Sequence, residues 1–529
     1  MSKNNITRGN EFMRIFKNGS GCAILLTGLF FSCGQNTFSR HAFYLNPAGD
    51  DSNPGTRERP WKTIDQLNKT NLKAGDTVYF EGAQVFDGSI ILDSNKHGLP
   101  GQPIVITSEG GGQARIRSGR GTALSLNHTA HVEILGLSFT GDGRKEGNQK
   151  DGVVIANSSD VRMDSISIQG YQKAGLLVLS SSEINIRNVY AHDNGFAGIY
   201  IIGEHSKEDC KNIYIGYCKA ENNPGDPAIL DNHSGNGILA GFCKNVLIEY
   251  SVATNNGWDM PRTGNGPVGI WAYEADSVVI QHCISYRNKT SPGGGDGGGF
   301  DLDGGTTHSL IQYCLSFENQ GSGFGIFQYA GASNWHDNTI RFNISVNDGN
   351  ISPAGASVFI WNSSRDNKQF KNCYFYNNTI YNDSAAAISY DGQSEHAGFY
   401  FYNNIFEAGD KLIKGKENSS VFFANDWYSI KGGFNCDGFR DFRQWAKSKK
   451  REQVRGILVG LNINPGFENP GKSVISSPAE LKYFDKYRIP GNSVLRTRGL
   501  DLEALYGLKT GKEDFLQKTA PLNGIGACF

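Results

Sequence analysis

An excess of charge of either sign is missing from this chain: 51 Lys and Arg stand against 52 Asp and Glu. That balance excludes the basic stripe that a nucleic-acid binder carries. Charged residues make up only 19%, too few for a charge-rich disordered segment. No apolar run is long enough to span a bilayer, and the mean hydropathy is −0.41. No Cys-x-x-Cys pair occurs, so a zinc ribbon has no support. Proline, at 16, and methionine, at 4, are scarce. The 67 glycines therefore do not belong to a Pro-rich low-complexity chain or a collagen repeat. They fit many tight corners between short strands. With 31 Phe and 22 Tyr in 529 residues, the composition points to an all-β repeat protein.

The N-terminus reads as an address. A positive stretch at 13–17 precedes an apolar run from Cys22 to Phe31, which ends in Ser32-Cys33. This resembles a bacterial lipoprotein signal, in which Cys33 becomes the lipidated first residue. The alternative is an ordinary cleaved secretory signal. Either way the expectation is an extracytoplasmic protein, on the cell surface or in the periplasm, touching membrane through a lipid anchor only. Residues 1–33 are then the signal and 34–41 a tether, and Met13 competes with Met1 as the start.

Internal similarity carries the fold. Blocks ending at Val189, Cys218, Ser251, Cys283, Cys314, Asn343 and Cys373 share an Ile-x-x-x pattern, with Phe370 for Ile in the last, at intervals of about 30 residues. Five residues after each comes Asn194, Asn223, Asn256, Asn288, Asn319, Asp348 or Asn378. A side-chain amide at the same corner of every coil forms a ladder, because Asn tolerates a left-handed backbone and stacked amides bond one another. The prediction is a right-handed parallel β-helix with all seven in one line. Cys218, Cys283, Cys314 and Cys373 share one column of the repeat, where stacked buried thiols are expected rather than disulfides.

A second column is the strand after the variable corner, with apolar residues at its second and fourth positions. Alternation sends the third and fifth outward. They are Trp271 and Tyr273, Asp301 and Asp303, Gly325 and Phe327, then Phe359 and Trp361 on successive coils. Coils about 4.8 Å apart would make the rings a stripe suited to stacking on sugars. The corners at 224–236, 257–268 and 289–298 are long and consecutive, and should wall a cleft. They carry His233, Trp258, Asp259, Arg262 and Asp296, candidates for substrate contact or catalysis.

Two carboxyl groups, one acid and one base or nucleophile, are what glycoside hydrolysis needs. Asp301 and Asp303 lie two apart on one strand, with Cα atoms about 6.6 Å apart. As like charges they push one pKa up. A loop carboxylate, Asp296 or Asp259, completes an acid, base and water set. The competing structural reading is that the pair binds a cation or caps the turn at Gly304-Gly305.

The ends of the chain resemble pectate-lyase-like β-helix proteins. The segment 43–56 with Trp61-Lys-Thr-Ile64 and 74–80 is similar to their N-terminal cap, with a capping helix over 63–72. The resemblance implies cap and first coils over 42–120, β-helix with its cleft over 121–425, and a C-terminal strap over 426–529. The basic run at 447–451 reads as a solvated surface. Residues 296–303 and 319–324 resemble the active-site region of calcium-dependent family 9 pectate lyases. There a catalytic Lys follows three residues after Phe and an Asp precedes Gly-Phe. Here those places hold Asp303 and Gly298.

The reading that follows is an extracellular polysaccharide-degrading enzyme, a glycoside hydrolase ahead of a β-eliminating lyase. A non-catalytic glycan-binding surface protein is the reading from another class. The expected partner is a polysaccharide or oligosaccharide, bound by a monomer. No cofactor follows from the residues, and calcium is the one that the resemblance implies.

Overall fold

Short strands of β-branched and aromatic residues, broken by glycine and asparagine, can bury their apolar faces only by stacking coil on coil. The computed structural model describes residues 40–529, except 146, 352–354, 392–394, 410, 418, 473 and 474. Cys33 and the signal segment lie outside the described residues.

The coils stack as a parallel β-helix. One face is a 12-stranded sheet whose strands follow chain order from Ile90–Leu92 to Ile413–Lys414. The remaining faces form a 25-stranded sheet. All pairings in both are parallel, and each strand pairs with its counterpart one coil on. Inward side chains such as Ile199, Ile238, Ile270, Phe300 and Phe324 are fully buried in one continuous core.

The ladder runs from Asn194 through Asn223, Asn256, Asn288 and Asn319 to Asp348. Each Nδ2 donates to the next side-chain oxygen at 2.8–3.2 Å. Asn378 does not belong to it, which corrects the seven-member line. In the structure Cys373 pairs with Asn338, five residues before Asn343. The seventh block is therefore aligned five residues late. Asn378 instead joins a second ladder with Asn343, Asn404 and Asn425. The same slip takes Cys373 out of its column: Cys218, Ser251, Cys283, Cys314 and Asn343 occupy that corner. All eight cysteines between Cys210 and Cys528 are buried and free.

The helix Ile64–Lys69 is capped by the Thr63 side chain and buries Ile64 and Leu67 over the first coil. At the other end the helix Phe442–Lys449, unforeseen in the sequence, sets Trp445 against Trp427 at 5.5 Å and closes the core. Of the basic run, Lys447, Lys449 and Lys450 are exposed, while Arg451 pairs with Glu417. The segment beyond 460 folds back along the outside. Its Phe484, Phe515 and Leu516 pack on Ile284, Leu315 and Ile344, and its Leu495, Leu502 and Phe529 pack near Phe342 and Tyr402. Among the described residues no helix is long and apolar enough to cross a membrane.

Candidate active site

The three long corners and the outward positions of the 12-stranded sheet enclose a cavity of about 1250 Å³. Its walls include Asn232 and His233 from the first corner, Thr263–Gly266 from the second and Thr290–Asp296 from the third. Register places Trp271 beside Asp301, and Asp301 beside Gly325. A Cβ on Gly325 would sit 3.0 Å from Asp301 Cγ and 2.8 Å from the Phe327 ring. Only glycine leaves both side chains their places.

Asp296, Asp301 and Asp303 all line the cavity. Asp301 is 2% exposed, and its Oδ1 has no hydrogen-bond partner. Burial, then Asp303 and Asp296, hold its carboxyl well above the ordinary range. Burial lifts Asp303 to about 7, with Asp296 and Glu274 adding and the Gly304 N–H opposing. That N–H donates to Asp303 Oδ1 at 2.7 Å. Burial raises Asp296 to about 6, against the Gly266 N–H, which donates to Oδ2 at 2.8 Å, and against the Arg262 charge. At neutral pH the trio therefore keeps at least one proton among its members, with Asp296 the first to ionise.

His233 lines the cavity beside Trp271, edge to face at 4.9 Å. The Trp271 indole N–H donates to Asn236 Oδ1 at 3.1 Å. That fixes the amide, so Asn236 Nδ2 donates to His233 Nδ1 at 3.1 Å. Burial, with Arg262 nearby, lowers the imidazole to about 4. His233 is thus neutral and carries its proton on Nε2.

The expected aromatic stripe is two clusters flanking the Asp coil. Trp271 and Tyr273 pack with Leu239 and Tyr200 on one side, and Phe327, Phe359 and Trp361 on the other. All five rings line the cavity. Trp271, Phe327 and Phe359 are more than nine-tenths buried, so these rings form walls rather than an open stripe. Trp258, Asp259 and Arg262, expected at the substrate, are not among the residues that line this cavity. Trp258 is exposed, donates from Nε1 to Asn222 at 2.9 Å and lies under the Arg144 guanidinium. Asp259 pairs with Arg144 and Lys145. Arg262 touches the trio only through its field.

Tyr329, Gln320 and Asp391 also line the cavity and were not foreseen. Tyr329 lies just past the strand Phe324–Gln328, where alternation stops assigning faces. Asn236 was legible in principle, as a polar residue opening an otherwise apolar strand.

A calcium ion takes six to eight oxygen ligands. Here Asp296, Asp301 and Asp303 line one cavity, and two of them already accept a backbone N–H at one oxygen each. That leaves four oxygens of the trio, fewer than the six to eight that calcium takes.

A family model described as "Pel9A-like, right handed beta helix region" matches residues 43–351. The chain belongs to this family. The Pel9A-like region thus covers the N-terminal cap, the three long corners and the Asp coil. Among solved structures, the chain is similar to pectate lyase Pel9A at 14% identity, covering 92% of this chain and 97% of that one, with a TM-score of 0.44. It is similar to a GH136 lacto-N-biosidase from Eubacterium ramulus at 14% identity, covering 72% and 67%, with a TM-score of 0.45. It is also similar to PfbA, a surface adhesin of Streptococcus pneumoniae, at 12% identity, covering 66% and 83%, with a TM-score of 0.40. Likeness at this level says nothing of the reaction. No curated protein matches the chain.

Proposed function

We propose that this Pel9A-like protein is a carbohydrate-active enzyme, a glycoside hydrolase acting on a neutral oligosaccharide or polysaccharide. The carrying observation is the make-up of the cleft: Asp296, Asp301, Asp303 and Asp391 line it, and among the described residues no Lys or Arg does. β-Elimination from a uronide needs a base and a partner for the sugar's own carboxylate. A wall of carboxylates repels such a substrate and offers it no cation. Hydrolysis instead needs one protonated and one ionised carboxyl group. The raised pair Asp301 and Asp303 supplies the proton to the leaving oxygen. Asp296, the lowest of the three, acts as the base or nucleophile. Trp271, Tyr273 and Trp361 offer ring faces or edges to the sugar, and His233 Nε2–H donates to a hydroxyl. Export and lipidation at Cys33 belong to the same proposal and rest on the residues 13–33.

The test is the soluble chain, truncated before Cys33, on a panel of neutral glycans and polyuronides. Reducing ends and the absorbance of unsaturated uronides are read together. The expected result is new reducing ends without unsaturated product, lost by about 10²–10⁴-fold in Asp303→Asn and Asp296→Asn. Unsaturated uronides from the wild type would sink the hydrolase reading. Binding without turnover of any glycan would leave the adhesin-like reading in its place.

A further inference from the structure

Outside the cleft, one corner of the coils gathers histidine and carboxylate in a different way. One position near the strand starts in this column adopts positive φ on successive coils: Asn245 (54°), Ser277 (59°), His308 (51°), Asp337 (59°) and Asn372 (60°). Asparagine suits such a corner, and Asn245 bonds to Asn212 below it at 3.1 Å. At His308 and Asp337 the amide ladder gives way to a cluster with His336. One ligand atom from each of His308, His336 and Asp337 lies within 4.8 Å of the others.

The orientation of His308 is fixed from behind. Its Nδ1 lies 2.7 Å from Asp276 Oδ1, and Asp276 is itself held by the hydroxyls of Thr307 and Ser277. A carboxylate behind one ring nitrogen leaves the other as a ligand, the arrangement that supports metal-bound histidines. Nε2 of His308 is 3.9 Å from Asp337 Oδ2, and Nδ1 of His336 is 2.8 Å from the same oxygen. Bonds of about 2.0–2.1 Å in a tetrahedron put neighbouring ligand atoms about 3.3 Å apart. The two observed separations bracket that value. Asp337 Oδ1, the oxygen left over, accepts from Asn372 Nδ2 at 2.9 Å. His308 and Asp337 are solvent-exposed, so an ion can reach the site and keep water in its fourth position.

We propose that His308, His336 and Asp337 bind a divalent transition-metal ion of the zinc type, with Asp276 as the positioning residue behind His308. Two imidazoles and one carboxylate favour zinc and its neighbours over calcium or magnesium. The ion joins two successive coils through their side chains, with the third held by the Asp276 contact. None of the four residues lines the cleft, so the site stands whatever reaction the cleft performs.

Zinc titration of the full chain by calorimetry at pH 7.5, with cobalt(II) absorption as a second readout, tests this. One equivalent is expected, with the visible bands of tetrahedral cobalt and a higher melting midpoint in zinc. His336→Ala and Asp337→Asn abolish the saturable equivalent. Asp276→Asn weakens it by about 10–100-fold. His308→Asn, which keeps a residue at ease with positive φ, serves where another variant unfolds. No saturable binding at micromolar zinc, or unchanged affinity and cobalt bands in folded His336→Ala and His308→Asn, overturns the proposal. Retained binding with octahedral cobalt bands overturns the ligand set.

Discussion

Asp348 stands where the five preceding coils of the first ladder carry Asn, and replacing it by Asn should make the protein more stable at neutral pH. Its side chain is fully buried. Oδ1 accepts from the Asn319 backbone N–H at 2.9 Å and from Asn319 Nδ2 at 2.8 Å. Oδ2 accepts from Ser345 Oγ at 2.6 Å. Burial raises the carboxyl from 3.8 to about 6 in spite of these donors. The folded state thus holds the proton more tightly than the unfolded state. Its contribution is intact near pH 4 and is lost as pH rises towards about 6, beyond which the loss stays constant. The difference between 3.8 and 6 corresponds to about 3 kcal/mol. In Asp348→Asn the side-chain amide would keep the oxygen that Asn319 needs. The new amide nitrogen would donate to Ser345 Oγ, as Asn288 and Asn319 donate to Ser285 and Ser316 at 3.0 Å. The assay is the melting midpoint of Asp348→Asn against wild type from pH 4 to pH 8. A gain that opens between pH 4 and 6 and then levels off is expected. A gap that does not change with pH, or a variant less stable at pH 7.5, refutes the reasoning.

Two further outcomes follow from the same physics. The rate on the glycan substrate should rise through about pH 6 as Asp296 ionises and fall through about pH 7 as Asp303 loses its proton. The measurement is kcat/KM against pH, and a profile flat from pH 5 to 8 removes both residues from the chemistry. Phe515→Ala should loosen the C-terminal strap, because the ring is 1% exposed and such truncations cost about 3–5 kcal/mol. Limited proteolysis should then cut within 480–529 faster while the coils resist, and an unchanged cleavage rate contradicts that assignment.

Much of the fold was legible because a solenoid repeats its physics every coil. The Asn corner and the inward Ile column are each a local signal with one structural solution. The alignment slipped where coil length departed from its mean: Asn343 and Asn378 lie 35 residues apart, and the next step is 26. In the site, Asp301 and Asp303 were readable because strand alternation assigns faces without knowledge of neighbours. Corner residues carry no such rule. Trp258 and Asp259 share a corner with Thr263 and Asn265, yet the first two turn to Arg144, Lys145 and Asn222 and the latter two reach the cleft. The choice depends on partners up to 115 residues away in sequence, which no local pattern records.

The strap has a consequence for how the chain is made. Each coil can settle on the one before it as soon as it leaves the ribosome. The outer strip around Leu315 and Ile344 has no such neighbour and waits for its cover. Tyr313 donates to the Glu513 carbonyl across 200 residues of chain. At about 5–20 residues per second, that interval is about 10–40 s. For that time a nearly finished solenoid shows water a greasy strip. A chain that closes in this order gains from a binding chaperone that shields the strip until its cover arrives.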